Sequence, residues 1–392
     1  MKARKIVDQV YWIGAVDWDR RLFDSLIPMP DGTSYNAYLV RGSQKTALLD
    51  TVDPSMAEVL FANLAEVPQL DYLVMHHAEQ DHAGTIPLVL EKYPSAQVLA
   101  SPKGKEMLID LLGVPAERID VVDDGQILSL GDKSLQFIHA PWVHWPDTMS
   151  TYLQEDRILF SCDFFGSHLA TSDLFATDKA TVYEAARRYF AEIMMPFRNM
   201  VQKNLDKVQK HELRIIAPSH GPLHDEPSFI LEAYREWAAA EPRNRVVIPY
   251  ISMHGSTRKM VEVLMAALVE RGVGVQQFDL TVTDIGKLAS ALVDAATLVI
   301  GTPTVQAGPH PLVFYAAYLA NTLRPKLKYA SVIGSYGWNS KVVEQIAGQI
   351  PNLKVELLSP VMCKGYPRPG DFEALEKLAE TIVAKHKESG LV

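Results

Sequence analysis

Near residue 240 the sequence changes rhythm, and no single layered domain accommodates both patterns. Beyond the charged, Pro242-containing segment "AAAEPRNR" (238–245), apolar strand-like runs alternate with helical stretches. "RVVIPYIS" leads into the amphipathic "TRKMVEVLMAALVERG", which stops at Gly272. "VGVQQFDL", "ATLVIGTPT", "YASVIGSYG" and "VELLSPVMCKG" follow with helical sequence between them, and "DFEALEKLAETIVAKHKE" closes the chain. Strands that alternate with helices in this way predict a five-stranded parallel, doubly wound sheet, because parallel neighbours need a crossover and a helix supplies it. The first part reads differently. "KIVDQVYWIG", "YNAYLV" and "KTALLD" lie close together, parted by polar or turn residues, and "DYLVMHH" and "AQVLAS" then lead into helices. "LQFIHAP", "MSTYLQ", "RILFSCD" and "LRIIAPSHG" come later, a mixture that predicts layered sheets with helices outside. The expected chain is α/β throughout, with one domain over 1–243 and a second over 244–392, joined by the 238–245 linker.

Composition narrows the function. At 392 residues the chain is long enough for two domains. Hydrophobic content of 48% and charged content of 22% are those of a globular protein in water. No apolar run approaches the roughly 18 residues of a membrane span, and "MKARKIVDQVYW" has neither the apolar core nor the cleavage site of a signal peptide. A net charge of -9 without any basic run argues against nucleic acid as partner. Cys162 and Cys363 are the only cysteines and lie in different halves, so no disulfide framework is expected and a reducing cytoplasm is the natural home.

The densest chemistry is "HHAEQDH" (76–82), directly after the apolar "YLVM". Strand alternation would send His77, Glu79 and Asp81 to one side, with His82 turned in by the loop. Further candidates recur in the same setting, each just past an apolar strand: His144 in "FIHAPWVHWPDTM", Asp163 in "ILFSCDFFG" and His220 in "IIAPSHGP". A single histidine or aspartate beside a strand is ordinarily loop polarity. Crowded carboxylates repel one another unless a cation holds them, however, and imidazole with carboxylate suits iron, zinc or manganese. Seven such side chains divide into three for each of two ions plus one shared carboxylate, and Asp163 is the expected bridge. His76 and His139 are expected to be structural, and Cys162 to be a small buried apolar residue rather than a ligand.

These segments resemble the metallo-β-lactamase fold, whose hydrolases carry HxHxDH, except that Glu79 replaces the second histidine. The extra carboxylate makes a more anionic site, better matched to iron than to hydrolytic zinc. HxExDH followed by "HWPD", "CD" and "SHG" resembles the flavodiiron (A-type flavoprotein) family over essentially the whole chain. The resemblance implies an αββα metallo-β-lactamase-like sandwich followed by a flavodoxin-like domain. It implies one iron held by His77, Glu79 and His144, the other by Asp81, His82 and His220, and Asp163 between them. His168 and Tyr189 are candidate hydrogen-bond or proton donors beside the irons.

The second part carries its own site. "SMHGSTRKM" (252–260) falls where the first strand meets the first helix, so Ser252, Met253, His254, Gly255, Ser256 and Thr257 can surround a phosphate at the helix N-terminus. "GTPTVQAGPHP", with Pro303, Thr304, Val305 and Gln306, and "GSYGWNS", with Ser335, Tyr336, Gly337 and Trp338, follow the third and fourth strands at the same carboxyl edge. Tyr336 and Trp338 are placed to flank a flat ring. Together these loops look like an FMN-binding flavodoxin. Thr302 and Gln306 stand where the family commonly has Ser and Asn.

Joined, the parts imply an oxidoreductase that reduces dioxygen, nitric oxide or both. Two ferrous ions and one reduced flavin hold the four electrons that turn dioxygen into two waters. The family further implies a head-to-tail homodimer and an external donor, a rubredoxin-type protein or a reduced deazaflavin. A zinc hydrolase with an appended flavodoxin is the alternative reading, and a simple FMN electron carrier a third.

Overall fold

The computed structural model describes residues 2–392, which divide into two compact units, 2–189 with 197–238 and 190–196 with 239–392. The second unit thus starts ahead of the expected border at 243/244. Its first strand, Arg243–Tyr250, begins inside the segment read as a linker, because that stretch pairs along the next strand as soon as Pro242 is passed. The helix Lys179–Tyr189 runs into one π-helical turn, Phe190–Met194, which lies with the second unit beside the helix Ile285–Leu292. Among the described residues no helix is long and apolar enough to cross a membrane.

The first unit is two sheets packed face to face. One has seven strands. Arg4–Val7, Val10–Trp12, Tyr38–Arg41 and Thr46–Leu49 pair antiparallel, and Tyr72–Val74, Gln97–Ala100 and Ile119–Val121 continue parallel. The other runs Ile127–Ser129, Ser134–His139, Met149–Leu153, Ile158–Cys162 and Ile215–Pro218. Period-two alternation sorts the side chains. Tyr38, Val40, Ala47 and Leu49 meet Leu135, Phe137, Met149 and Phe160 between the sheets. Leu39, Leu48 and Leu73 point the other way into the helices Ala57–Asn63, Ile86–Lys92 and Pro102–Leu112. Each fully buried Leu, Val or Phe contributes roughly 1.5–3 kcal/mol, so both faces of the first sheet are strongly specified. Beyond the second sheet, Phe164 and Phe165 pack on Tyr234 of the helix Pro227–Ala238.

Topology decides where the chemistry goes. Ser134–His139 and Ile158–Cys162 both run antiparallel to Met149–Leu153, and Ile215–Pro218 runs parallel to Ile158–Cys162. All three therefore end on one edge, and His144, Asp163 and His220 follow those ends. Facing them, the amide of Met149 donates to the carbonyl of His76 at 2.8 Å, which pins the loop after Tyr72–Val74 to the same rim.

In the second unit the strands lie in the order Gly274–Asp279, Arg243–Tyr250, Ala295–Val305, Tyr329–Tyr336 and then a fifth position shared by Glu356–Leu357 and Val361–Lys364, all parallel. The fifth strand breaks at 358–360, where Pro360 has no N–H to give. Ser256–Glu270 and Pro369–Glu388 cover one face, and Ile285–Leu292, Pro311–Leu323 and Val342–Gln349 the other. The strand order reverses beside Arg243–Tyr250, which opens a crevice at the carboxyl edge.

Candidate metal centre

The strand before "HHAEQDH" ends at Val74, not at His77, so simple alternation does not place the cluster. Side-chain carboxylates take over the backbone donors. Asp50 accepts the His76 N–H at 2.8 Å and Asp147 accepts that of Ala78 at 2.9 Å, which ends the ladder and bends the chain. His77 and Glu79 project from this bend, and Asp81 and His82 from the single helical turn Gln80–Ala83.

The seven candidates nevertheless converge, in two groups. His77 Nε2 lies 3.1 Å from Glu79 Oε2 and 3.1 Å from Asp163 Oδ2, and His144 Nε2 lies 3.2 and 3.0 Å from the same two oxygens. On the other side, His82 Nε2 lies 3.1 Å from Asp163 Oδ1 and 3.4 Å from Asp81 Oδ1, while His220 Nε2 lies 3.1 Å from Asp81 Oδ2 and 3.4 Å from Asp163 Oδ1. Asp163 presents one oxygen to each group. All seven are buried except the half-buried His144.

Whether these side chains fit cations is answered by their unpaired atoms. Both oxygens of Asp81, both ring nitrogens of His82 and Oδ1 of Asp163 are buried with no hydrogen-bond partner, despite oppositely polar neighbours within 3.4 Å. Their lone pairs face common points instead of one another's protons. Three buried carboxylates without cations would be strongly unfavourable, and two metal ions remove that penalty. Without cations, protons on His77, His144 and His220 take their place. Burial disfavours the charged form of His144, yet hydrogen bonds to Asp163 and Glu79 raise its pKa to about 9. Burial would raise the Asp163 carboxyl, but His82 and His77 hold it well below its usual range.

Around the ligands the structure shows contacts that the sequence did not. His76 is structural, as expected: its Nδ1–H donates to Asp50 at 2.6 Å and its Nε2 accepts from Thr151 at 2.8 Å. His139 sits 3.1 Å from the Val122 carbonyl, outside the cluster. Cys162 is buried, but not as an inert apolar residue, for its sulfur lies 3.3 Å from Nδ1 of His77, and burial pushes the thiol up to about 12. The Nδ1–H of His220 donates to the Ser34 carbonyl at 2.6 Å. His168 contacts Thr33 Oγ1 through Nδ1 at 2.9 Å, leaving its buried Nε2 without a partner, and its ring centre is 4.9 Å from those of His220 and Tyr189. Burial, reinforced by His220, keeps His168 neutral, and burial with the negative charge of Asp163 keeps Tyr189 protonated. Thr33, Ser34 and Phe23, whose ring centre is 5.4 Å from that of His168, had no signal in the sequence, because the strand and hairpin that carry them meet the site only through tertiary folding.

In the second unit, a cavity of about 180 Å³ opens at the carboxyl edge between Ser252, Met253, His254, Ser256 and Thr257, Pro303 and Thr304, and Ser335, Tyr336 and Gly337. Gly255 turns the chain at φ +86° into the helix Ser256–Glu270, and Ser252 Oγ accepts the Arg258 N–H at 3.1 Å. Thr257 is buried with its hydroxyl unpartnered, a donor held ready for an anion. Val305, Gln306 and Trp338 adjoin the wall without forming it. Trp338 is 88% exposed and follows Gly337, which lines the cavity. Thr302 faces its own loop, accepting the His310 N–H at 3.1 Å.

Comparison with known proteins agrees with this division. Residues 33–221 match the model of the ODP family beta lactamase and residues 248–378 that of flavodoxin. The chain is 38% identical to the nitric oxide reductase of Moorella thermoacetica, over 97% of this chain and 98% of the relative, and 33% identical to the coenzyme F420H(2) oxidase of Methanothermobacter marburgensis, over 97% and 98%. Among solved structures, rubredoxin oxygen:oxidoreductase from Desulfovibrio gigas matches with a TM-score of 0.95 at 31% identity, covering 100% of both chains. The flavodiiron protein from Giardia intestinalis matches with a TM-score of 0.89 at 27% identity, covering 98% of both.

Proposed function

The chain belongs to the flavodiiron proteins, and from that premise we propose that it is an oxidoreductase that reduces dioxygen, nitric oxide or both at a non-haem diiron centre fed by FMN. One observation carries the reading: Asp163 offers Oδ2 to the group His77, Glu79 and His144, and Oδ1 to the group Asp81, His82 and His220. A single carboxylate shared in this way holds two ions as a pair. Glu79 makes the set more anionic than a hydrolytic zinc site and favours iron.

When bound, the two ferrous ions and reduced FMN supply four electrons for dioxygen, which with four protons gives two waters, or two electrons for two nitric oxide molecules, which with two protons give nitrous oxide and water. The chain supplies the positioning and the hydrogen bonds. Tyr189, kept protonated beside Asp163, is placed to donate its hydroxyl hydrogen to that carboxylate and so to orient it. His168, neutral and unpartnered at Nε2, is placed to hydrogen-bond a reacting ligand beside His220. Ser252, Gly255, Ser256 and Thr257 hold the FMN phosphate, and Thr304 and Tyr336 border the flavin.

A head-to-tail homodimer completes the reading, placing one subunit's flavin at the partner's irons. The exposed Trp338 of the second unit and the exposed Trp142 near His144 of the first support it, as surfaces such an interface would cover. The donor is external, a rubredoxin-type protein or a reduced deazaflavin, as the names of two relatives indicate for themselves. Two cysteines, both free, fit a cytoplasmic protein.

The test is anaerobic purification, metal analysis, reduction, and side-by-side measurement of dioxygen and nitric oxide uptake with each donor. About two irons per chain and uptake well above the flavin-only rate are expected. Two zinc ions and no iron would turn the reading toward a hydrolase.

A further inference from the structure

Cys162 has no part in the function set out above, yet the backbone is bent to bring it to the metal centre. It ends the strand Ile158–Cys162, where the pairing with Ile215–Pro218 slips between Phe160 and Cys162. Its backbone turns to φ +57°, a region that asparagine and aspartate tolerate far better than cysteine. Bulges of this kind re-aim side chains and gather at functional sites. Here the bulge brings Sγ within 3.3 Å of His77 Nδ1, both residues being almost fully buried. His77 turns Nε2 to Glu79 and Asp163, each 3.1 Å away, so its ring proton sits on Nδ1 and the sulfur accepts it. His220 has a different partner, donating its Nδ1–H to the Ser34 carbonyl at 2.6 Å. Sulfur is a weak acceptor and a carbonyl oxygen a good one. The partner on a ligand's outer nitrogen fixes its tautomer and sets its basicity.

We propose that Cys162 is a positioning residue: its sulfur, by accepting the Nδ1–H of His77, locks that ring and leaves it a weaker donor than His220. The inference rests on the pair of metal ions assigned above. The ion held by His77, Glu79 and His144 would thereby be less stabilised in its oxidised form than with a carbonyl oxygen on His77.

The test compares wild type, Cys162→Ala and Cys162→Asn, each purified with metals and FMN. The readouts are iron remaining after a timed chelator challenge, and the two one-electron reduction steps followed by EPR during a potentiometric titration. C162A removes the acceptor and is expected to lose one ion roughly 10- to 100-fold more readily while keeping the other. C162N suits the left-handed backbone and supplies a carbonyl oxygen. It is expected to match or exceed wild type in melting temperature, retain both ions and lower the potential of one of the two reduction steps. A merely structural cysteine would leave both potentials alone. Unchanged retention in C162A together with no lowered potential in C162N would overturn the proposal, with FMN content and circular dichroism confirming that both variants fold. If wild type holds two zinc ions and no iron, the functional reading fails, while zinc retention in C162A still decides whether Cys162 anchors His77.

Discussion

The metal centre and the flavin cradle lie at the carboxyl ends of strands in their own units, yet they are built in opposite ways. The metal centre is closed: three carboxylates and four imidazoles, all but one buried, with His220 oriented by the Ser34 carbonyl and His77 by Cys162. The cradle is open, walled by hydroxyls, glycine and proline around a cavity of about 180 Å³, with few charges near it. Folding the first site buries charge that only cations balance, so its contents are part of its stability. Folding the second buries little that needs a ligand, so FMN is expected to leave without unfolding its unit. Equal positions on a sheet edge therefore do not imply equal dependence on what they bind.

The sharpest way to break this contrast is Asp163→Ala. With the only shared ligand gone, both ions are expected to leave and gas uptake to fall to the flavin-only rate, while FMN content and its reduction by donor stay unchanged. Flavin loss together with iron would mean that the two sites are not independent. Next in size is a pH effect confined to the metal-free protein. There His144 has its pKa raised from 6.5 to about 9. A group raised on folding stabilises fully below its unfolded value and loses that contribution as pH rises through the folded one. Metal-free protein should therefore lose on the order of 3 kcal/mol between pH 6.5 and 9. Metal-loaded protein, whose His144 carries no proton on Nε2, should show no such loss by thermal melting.

Much of this architecture is legible in the sequence. The residue types of the metal cluster follow from carboxylates crowded past apolar strands, and the second unit follows from alternating strands and helices. The local geometry is not legible there. Strand alternation predicts that His77, Glu79 and Asp81 share one side of an extended strand, but Asp50 and Asp147 capture the backbone donors that a neighbouring strand would have taken. Such long-range captures leave no periodic trace. The same holds for Thr33, Ser34 and Cys162, whose importance lies in a tertiary contact, and for the π-helical turn Phe190–Met194, which continues a helix of the first unit yet groups with the second.

Of intermediate size is the effect expected for His168→Ala. Removing the unpartnered Nε2 should slow gas uptake about 100-fold, the usual loss when one hydrogen bond to a reacting group is removed, with iron content intact. Full activity would show that His168 does not contact the reacting ligand, and iron loss would show that His168 supports His220 and does not itself act on the substrate. Smaller still is Thr257→Val. The hydroxyl is buried and unpartnered in the flavin-free chain, so its removal should raise flavin-free stability by about 1 kcal/mol while weakening FMN binding roughly tenfold. A loss on both counts would mean that the hydroxyl has a partner even without flavin.

The smallest effect, and the most discriminating for the open cradle, is expected from Gly255→Ala. A Cβ at Gly255 meets nothing within 4 Å, unlike one at Gly301, which would meet Tyr250 Cβ at 2.7 Å. The change therefore costs only backbone strain at φ +86°, about 1 kcal/mol. Where that cost appears depends on when the turn forms. If the cradle is preformed, flavin-free protein already bears the strain, its melting temperature falls, and FMN affinity stays near wild type. If the turn closes only on the phosphate, flavin-free stability is unchanged and affinity falls several-fold. The helix that begins at Ser256 and the Ser252 acceptor for the Arg258 amide already define the turn without ligand, so the first outcome is expected. Calorimetry on the flavin-free variant together with FMN titration decides between them.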